Sequence, residues 1–141
     1  MVDMRERFGI MIRPTGRFEI VQLGFDGGDE TIIKAVKEYF GGDVDWSRTN
    51  DEYAYFSAPD AIGQGLTRND AAAWFANMPQ YGDVILLPKK RVDDKYKVNY
   101  LRRSDAYRRS VWMRTLWERE CDYRTNPEKY SFNKNRNAAK A

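Results

Sequence analysis

Apolar and polar residues alternate from Phe8 onward. Phe8, Ile10 and Ile12 share one parity and Gly9, Met11 and Arg13 the other, and the alternation resumes at Phe18 and Ile20 beyond Pro14-Thr15-Gly16. A period of two sends successive side chains to opposite faces of a strand, so Phe8 to Leu23 is predicted to be a hairpin. A Gly-rich connection, Gly24 to Gly28, follows, and Asp29 is placed to cap a helix. That helix carries Ile32, Ile33, Val36, Tyr39 and Phe40 on one face and is stopped by Gly41-Gly42.

Further along, Val44 to Trp46 is read as a short strand. Glu52 to Ser57 is a better one, with Tyr53 and Tyr55 opposite Ala54 and Phe56, ended by Pro59. Ala71 to Phe75 reads as a short helix, capped by Thr67 or Asn69. The β-branched, apolar run Asp83 to Leu87 suits a buried strand. Tyr96, Val98 and Tyr100 alternate with Lys95, Lys97 and Asn99, which predicts a last strand with cations on one face.

From Ser104 a helical pattern extends to Tyr123. At about 100° per residue, Tyr107, Val111, Trp117 and Cys121 gather on one side, with Trp112, Leu116 and Tyr123 roughly opposite. Two apolar sides call either for two partners, one of them a second subunit, or for a break into two shorter helices. The first option predicts a homo-oligomer. The fold class expected is α+β, a mainly antiparallel sheet with one or two packed helices and a basic C-terminal helical segment. The expected layout is a sheet domain over 1–101, a basic helical segment over 102–124 packed on it or on a partner subunit, and a flexible tail over 125–141.

Composition narrows the chemistry. At 141 residues, 42% hydrophobic and 32% charged, the chain has the size and balance of about one globular domain. There is no histidine, which removes His-based acid-base catalysis, Ser-His and Cys-His nucleophiles and His-ligated metal from a single chain. Cys121 is the sole cysteine, so an intrachain disulfide or a Cys-rich zinc site is impossible and a reducing cytoplasm is expected. No membrane association is expected, because the longest aliphatic run is Val84 to Leu87, far from the roughly 18 apolar residues of a spanning helix. Arg5, Glu6 and Arg7 fall where the apolar stretch of a signal peptide would begin, so none is expected. The pairs Asp43/Asp45, Asp51/Glu52 and Asp93/Asp94 read as turn residues rather than metal ligands or an acid-base couple. No metal, cofactor or enzymatic activity is therefore expected.

The net charge of +3 hides a split. Residues 1–88 hold 8 Lys+Arg against 14 Asp+Glu, and residues 89–141 hold 16 against 7. The basic part is interleaved with Tyr96, Tyr100, Tyr107, Trp112, Trp117, Tyr123, Tyr130 and Phe132. Rings beside guanidinium groups stack on bases while the charges hold phosphates. The same composition also suits an oligomer interface, or an arm lying on the acidic body. Two local features stand out as ligand-binding candidates. Arg102, Arg103, Arg108 and Arg109, with Tyr107 and Trp112, form a guanidinium and aromatic cluster in which both Arg108 and Arg109 neighbour Trp112 at helical spacing. Gly63-Gln64-Gly65, ahead of a helix start and near Arg68, has the makings of a phosphate nest but lacks the Gly-Lys-Ser/Thr ending of a P-loop.

The order of hairpin, helix ending in Gly41-Gly42, strand pair, Asn69 before a small-residue helix, and Tyr81-Gly82-Asp83-Val84-Ile85 resembles an uncharacterised family of small phage and plasmid proteins. The likeness runs from about Gly9 to Pro88. Phe40 before the double glycine and Asp43 after it depart from that family's pattern. With the basic C-terminal helix added, the layout is similar to the phage anti-Thoeris sponge family. That resemblance implies a non-enzymatic anti-defence protein of the host bacterial cytoplasm, an oligomer that sequesters a cyclic nucleotide or cyclic ADP-ribose immune signal. The alternative is a nucleic-acid-binding protein or an inhibitor of a host defence protein, such as a nuclease or CRISPR effector, using the same helix.

Overall fold

A computed structural model describes residues 6–25, 29–49 and 52–130. The elements, in chain order, are β1 (Glu6–Ile12), β2 (Phe18–Phe25), α1 (Asp29–Phe40), β3 (Asp45–Thr49), β4 (Tyr53–Ser57), α2 (Asp70–Ala76), β5 (Val84–Val92), β6 (Lys95–Val98) and α3 (Arg103–Thr125), followed by a 3₁₀ turn, Pro127–Tyr130. All strand pairings are antiparallel, in the order β2-β1-β5-β4-β3, with β6 paired to the outer half of β5. The α+β reading is thus the observed architecture.

The sheet is covered on both faces, which explains why β4 is buried at every position despite its alternating pattern. On one face Phe8, Ile10, Ile12, Tyr53, Tyr55 and Leu86 pack beneath α2 and α3. On the other, Met11, Leu23, Ala54, Phe56, Ile85 and Leu87 pack against Ile32 and Val36 of α1. Tyr53 and Tyr55 therefore face one helix layer while Ala54 and Phe56 face the other.

Local chemistry sets the ends of the elements. At the end of α1 the Gly42 N–H donates to the Lys37 carbonyl at 2.9 Å and the Gly41 N–H to that of Glu38 at 3.1 Å. Gly41 has φ +77°, so this left-handed stop suits glycine. Helix α2 starts at Asn69, which is wholly buried. Its side-chain oxygen accepts from the Ala72 N–H at 3.0 Å while its amide nitrogen donates to the carbonyls of Ile12 and Gly82, each at 2.8 Å. Of the two expected caps, Asn69 is the one used, and it also ties the helix to β1 and to the approach of β5.

α3 is one unbroken helix, and its buried stripe is Ala106, Ser110, Met113 and Trp117. This corrects the grouping expected from large apolar residues. Tyr107 and Trp112 are 63% and 62% exposed, whereas the small residues Ala106 and Ser110 are buried. Helix and sheet share one core, so 102–124 is part of the domain body. Of the expected tail, α3 takes in Thr125, and a 3₁₀ turn at Pro127–Tyr130 follows with a Lys129–Asp122 ion pair at 3.1 Å. The remainder of that tail lies outside the described residues. Tyr100 lies beyond the last strand, with the guanidinium of the buried Arg7 4.9 Å from its ring centroid.

Candidate functional site

A cleft of about 770 Å³ opens where α2 and α3 part above β4 and β5. Its floor and near wall are Glu52, Tyr53 and Tyr55 from β4 and its approach, with Pro88 and Lys89 from β5. Phe75 of α2 closes one side. Arg109, Trp112, Met113 and Leu116 of α3 close the other. Leu116 and Trp112 are thus the second apolar side of α3 expected from the pattern, and in the monomer they form a cleft wall.

Arg109 is held against the floor. Its Nη1 donates to the Tyr53 hydroxyl at 3.1 Å, and its guanidinium carbon lies 5.9 Å from the Tyr53 ring centroid. Tyr53 is itself buried, on a strand paired on both sides. Lys89 adds a second cation to the lining, and its backbone N–H donates to the Glu52 carbonyl at 2.9 Å. Two cations, one carboxylate and several aromatic rings suit an anionic ligand with a planar group. The volume lies in the upper part of the usual range of roughly 300 to 1,000 Å³ for small-molecule sites.

The arginine cluster expected from sequence divides, since neighbouring positions point about 100° apart on a helix. Arg109 and Trp112 enter the cleft together. Arg108 pairs with Asp105 at 3.2 Å on the exposed side. Arg102 is the exposed N-cap residue of α3. Arg103 lies 5.7 Å from the Phe8 ring centroid and, with Ile20, Ser104 and Tyr107, edges a separate depression. Tyr107 therefore belongs to neither the core nor the cleft.

The glycine turn does not form the expected nest. The N–H groups of Gln64, Gly65 and Leu66 donate to the carbonyls of Asp60, Ile62 and Ala61, so the turn's own backbone uses them. The Asp60 carboxylate lies directly against the place a Gly63 side chain would take, which sets a negative charge where a phosphate was expected. The first turn of α2 is served by Asn69. Arg68 pairs with Asp70 at 3.0 Å and edges a shallow hollow with Trp74 and Arg124, apart from the main cleft.

Sequence reasoning missed Lys89, Tyr53, Tyr55, Phe75 and Glu52 as site residues. The parity shared by Tyr53 and Tyr55 was the available signal, but nothing local shows that α2 and α3 part above them. Among the described residues no group of three or more Cys, Asp or Glu is placed to hold a metal ion. No described helix is long and apolar enough to cross a membrane.

No family model matches the chain, and no curated protein matches it. Among solved structures, it is similar to a chain described as "Crystal structure of small RNA methyltransferase HEN1", with a TM-score of 0.51 and 18% identity over 77% of this chain. The chain spans 16% of that protein's length, and at this identity the likeness is one of fold.

Proposed function

We propose that the α2–α3 cleft binds a small anionic nucleotide-type ligand and holds it without turnover. The carrying observation is the convergence of Arg109 and Lys89 with Trp112, Tyr53, Tyr55 and Phe75 around one open space. Cations supply charge-assisted hydrogen bonds to phosphate and the rings supply stacking, and neither requires a general base. The chain has no histidine, which fits a binder better than a hydrolase. Joined to the layout resemblance, this reading makes the protein a phage anti-defence sponge for a cyclic nucleotide or cyclic ADP-ribose isomer, working as a homo-oligomer in the host cytoplasm.

Native mass spectrometry of the protein with a pool of cyclic dinucleotides, cyclic trinucleotides, cyclic ADP-ribose isomers and a short single strand tests it. The expected result is a stoichiometric small-molecule adduct on an oligomer, released with its mass unchanged. Conversion of the ligand, or a protein that takes up none of the small molecules, overturns the reading.

A second reading, a nucleic-acid binder, draws on the arginines spread along α3. Arg102, Arg103, Arg108, Arg114 and Arg124 are exposed on that helix, and the solved neighbour is named for an enzyme of small RNA. Contact with many phosphates weakens steeply with salt, while a small-ligand cleft changes far less. A steep salt dependence with the single strand favours this second reading.

A further inference from the structure

Arg109 differs from its neighbours on α3 in the partner that holds it. Arg108, Arg114 and Arg124 are each paired with a carboxylate on the same helix: Asp105 at 3.2 Å, Glu118 at 3.8 Å and Glu120 at 3.0 Å. Arg109 is held instead by the neutral phenol of Tyr53, 56 residues away in sequence. A carboxylate partner would cancel most of the guanidinium's field, whereas a phenol fixes its direction and leaves the charge available. An arginine side chain loses much rotamer freedom when it is fixed, so a partner on a paired strand lowers the ordering cost that a ligand would otherwise meet.

Resting on the cleft reading above, we infer that Tyr53 is a positioning residue that aims Arg109 at a phosphoryl group. The phosphoryl lies between Arg109 and Lys89, with the base of the same nucleotide on Trp112. Arg109 and Trp112 are three positions apart on one helix, a spacing that sets their Cβ atoms about 5 to 6 Å apart. That is a compact arrangement suited to a phosphate and base joined through one ribose. Tyr53 touches the ligand's charge only through Arg109, and the site's ligand class is therefore a nucleoside phosphate rather than a bare anion or an uncharged base.

The test is a fluorescence-anisotropy titration with ribose-labelled MANT-ADP on the wild type, Tyr53→Phe, Arg109→Ala and the double variant, with thermal unfolding of each measured alongside. Arg109→Ala is expected to weaken binding about thirtyfold, as for loss of a charge-assisted phosphate contact. Tyr53→Phe removes one hydrogen bond and is expected to weaken it about fivefold. In the Arg109→Ala background Tyr53→Phe should cost nothing further, because its effect passes through the guanidinium. A Tyr53→Phe loss that persists undiminished in that background, or a Tyr53→Phe protein that binds as the wild type does, overturns the positioning role while leaving the cleft reading in place. A wild type with no saturable MANT-ADP binding overturns the inferred ligand class, and the mass-spectrometric pool then judges the cleft reading on its own. Inorganic pyrophosphate that competes as strongly as unlabelled ADP also overturns it, since the base would then contribute nothing.

Discussion

Replacing Asn69 tests how one buried side chain joins α2 to the sheet. The residue is wholly buried and satisfies three backbone groups: the Ala72 N–H, 3.0 Å from its oxygen, and the carbonyls of Ile12 and Gly82, each 2.8 Å from its nitrogen. Loss of an N-cap to alanine costs about 1 kcal/mol. Each buried carbonyl left without its donor adds about 1 to 1.5 kcal/mol. Asn69→Ala is therefore expected to lower stability by about 3 to 4 kcal/mol, a large share of the roughly 5 to 15 kcal/mol of an ordinary domain. The assay is urea unfolding followed by tryptophan fluorescence, with the slope checked for constancy so that the midpoint reports stability alone. Asn69→Asp sharpens the test, because it keeps the acceptor for Ala72 but turns both donations into contacts between a carboxylate and carbonyl oxygens. It should be at least as destabilised as alanine at neutral pH, and partly restored when acid protonates it. An Asn69→Asp protein as stable as the wild type would show that capping is the whole role and refute the reasoning. So would an alanine variant that loses less than about 1 kcal/mol, the cost of the cap alone.

Three further predictions follow from neighbouring features. Trp117→Ala should cost about 3 to 5 kcal/mol in the same unfolding assay because the ring is buried, whereas Trp112→Ala, 62% exposed, should move stability by less than about 0.5 kcal/mol while weakening ligand binding; equal stability losses would contradict the assignment of core and cleft. Gly82 has φ +71°, and an added Cβ would lie 2.9 Å from Leu66 Cδ1, so Gly82→Ala should destabilise by about 1 to 3 kcal/mol by thermal denaturation, and an unchanged midpoint would refute the strain. The Tyr39 hydroxyl donates to Asp83 Oδ2 at 3.1 Å, and burial first, then the Asp83 charge, raises its pKa above the ordinary value of 10.0. Its folded-state value is the higher, so the stability it adds is present below the unfolded-state pKa and lost as pH rises through the folded-state one. A difference titration of tyrosinate absorbance between the wild type and Tyr39→Phe should show a late midpoint that Asp83→Asn moves down; a midpoint at or below the ordinary value would contradict the placement.

The features legible in the sequence are those whose cause is local. The alternation around Pro14-Thr15-Gly16 determined the β1–β2 hairpin, because strand parity and turn chemistry are properties of adjacent residues. Ile32, Val36 and Gly41-Gly42 determined α1 and its end for the same reason, and Val84 to Leu87 marked a strand buried on both faces. The charge split pointed to the basic helix, and two members of its cluster, Arg109 and Trp112, line the cleft. The stripe on α3 was misjudged because hydrophobic size drew attention to Tyr107 and Trp112. Ala106 and Ser110 are buried instead, and small side chains let a helix lie close to what it packs on.

What only the tertiary structure decided involves groups far apart along the chain. Asn69 reaches Ile12 across 57 positions and Arg109 reaches Tyr53 across 56. Both contacts depend on strand order, with β5 inserted between β1 and β4, and on how far α3 extends over that sheet. The amides of Gln64, Gly65 and Leu66 are taken by the turn's own carbonyls, which is set by the turn's closure rather than by its glycines. Sequence periodicity determines which face of an element is apolar. The crossing of elements determines which faces meet, and in this protein the cleft forms where α2 and α3 part above β4 and β5.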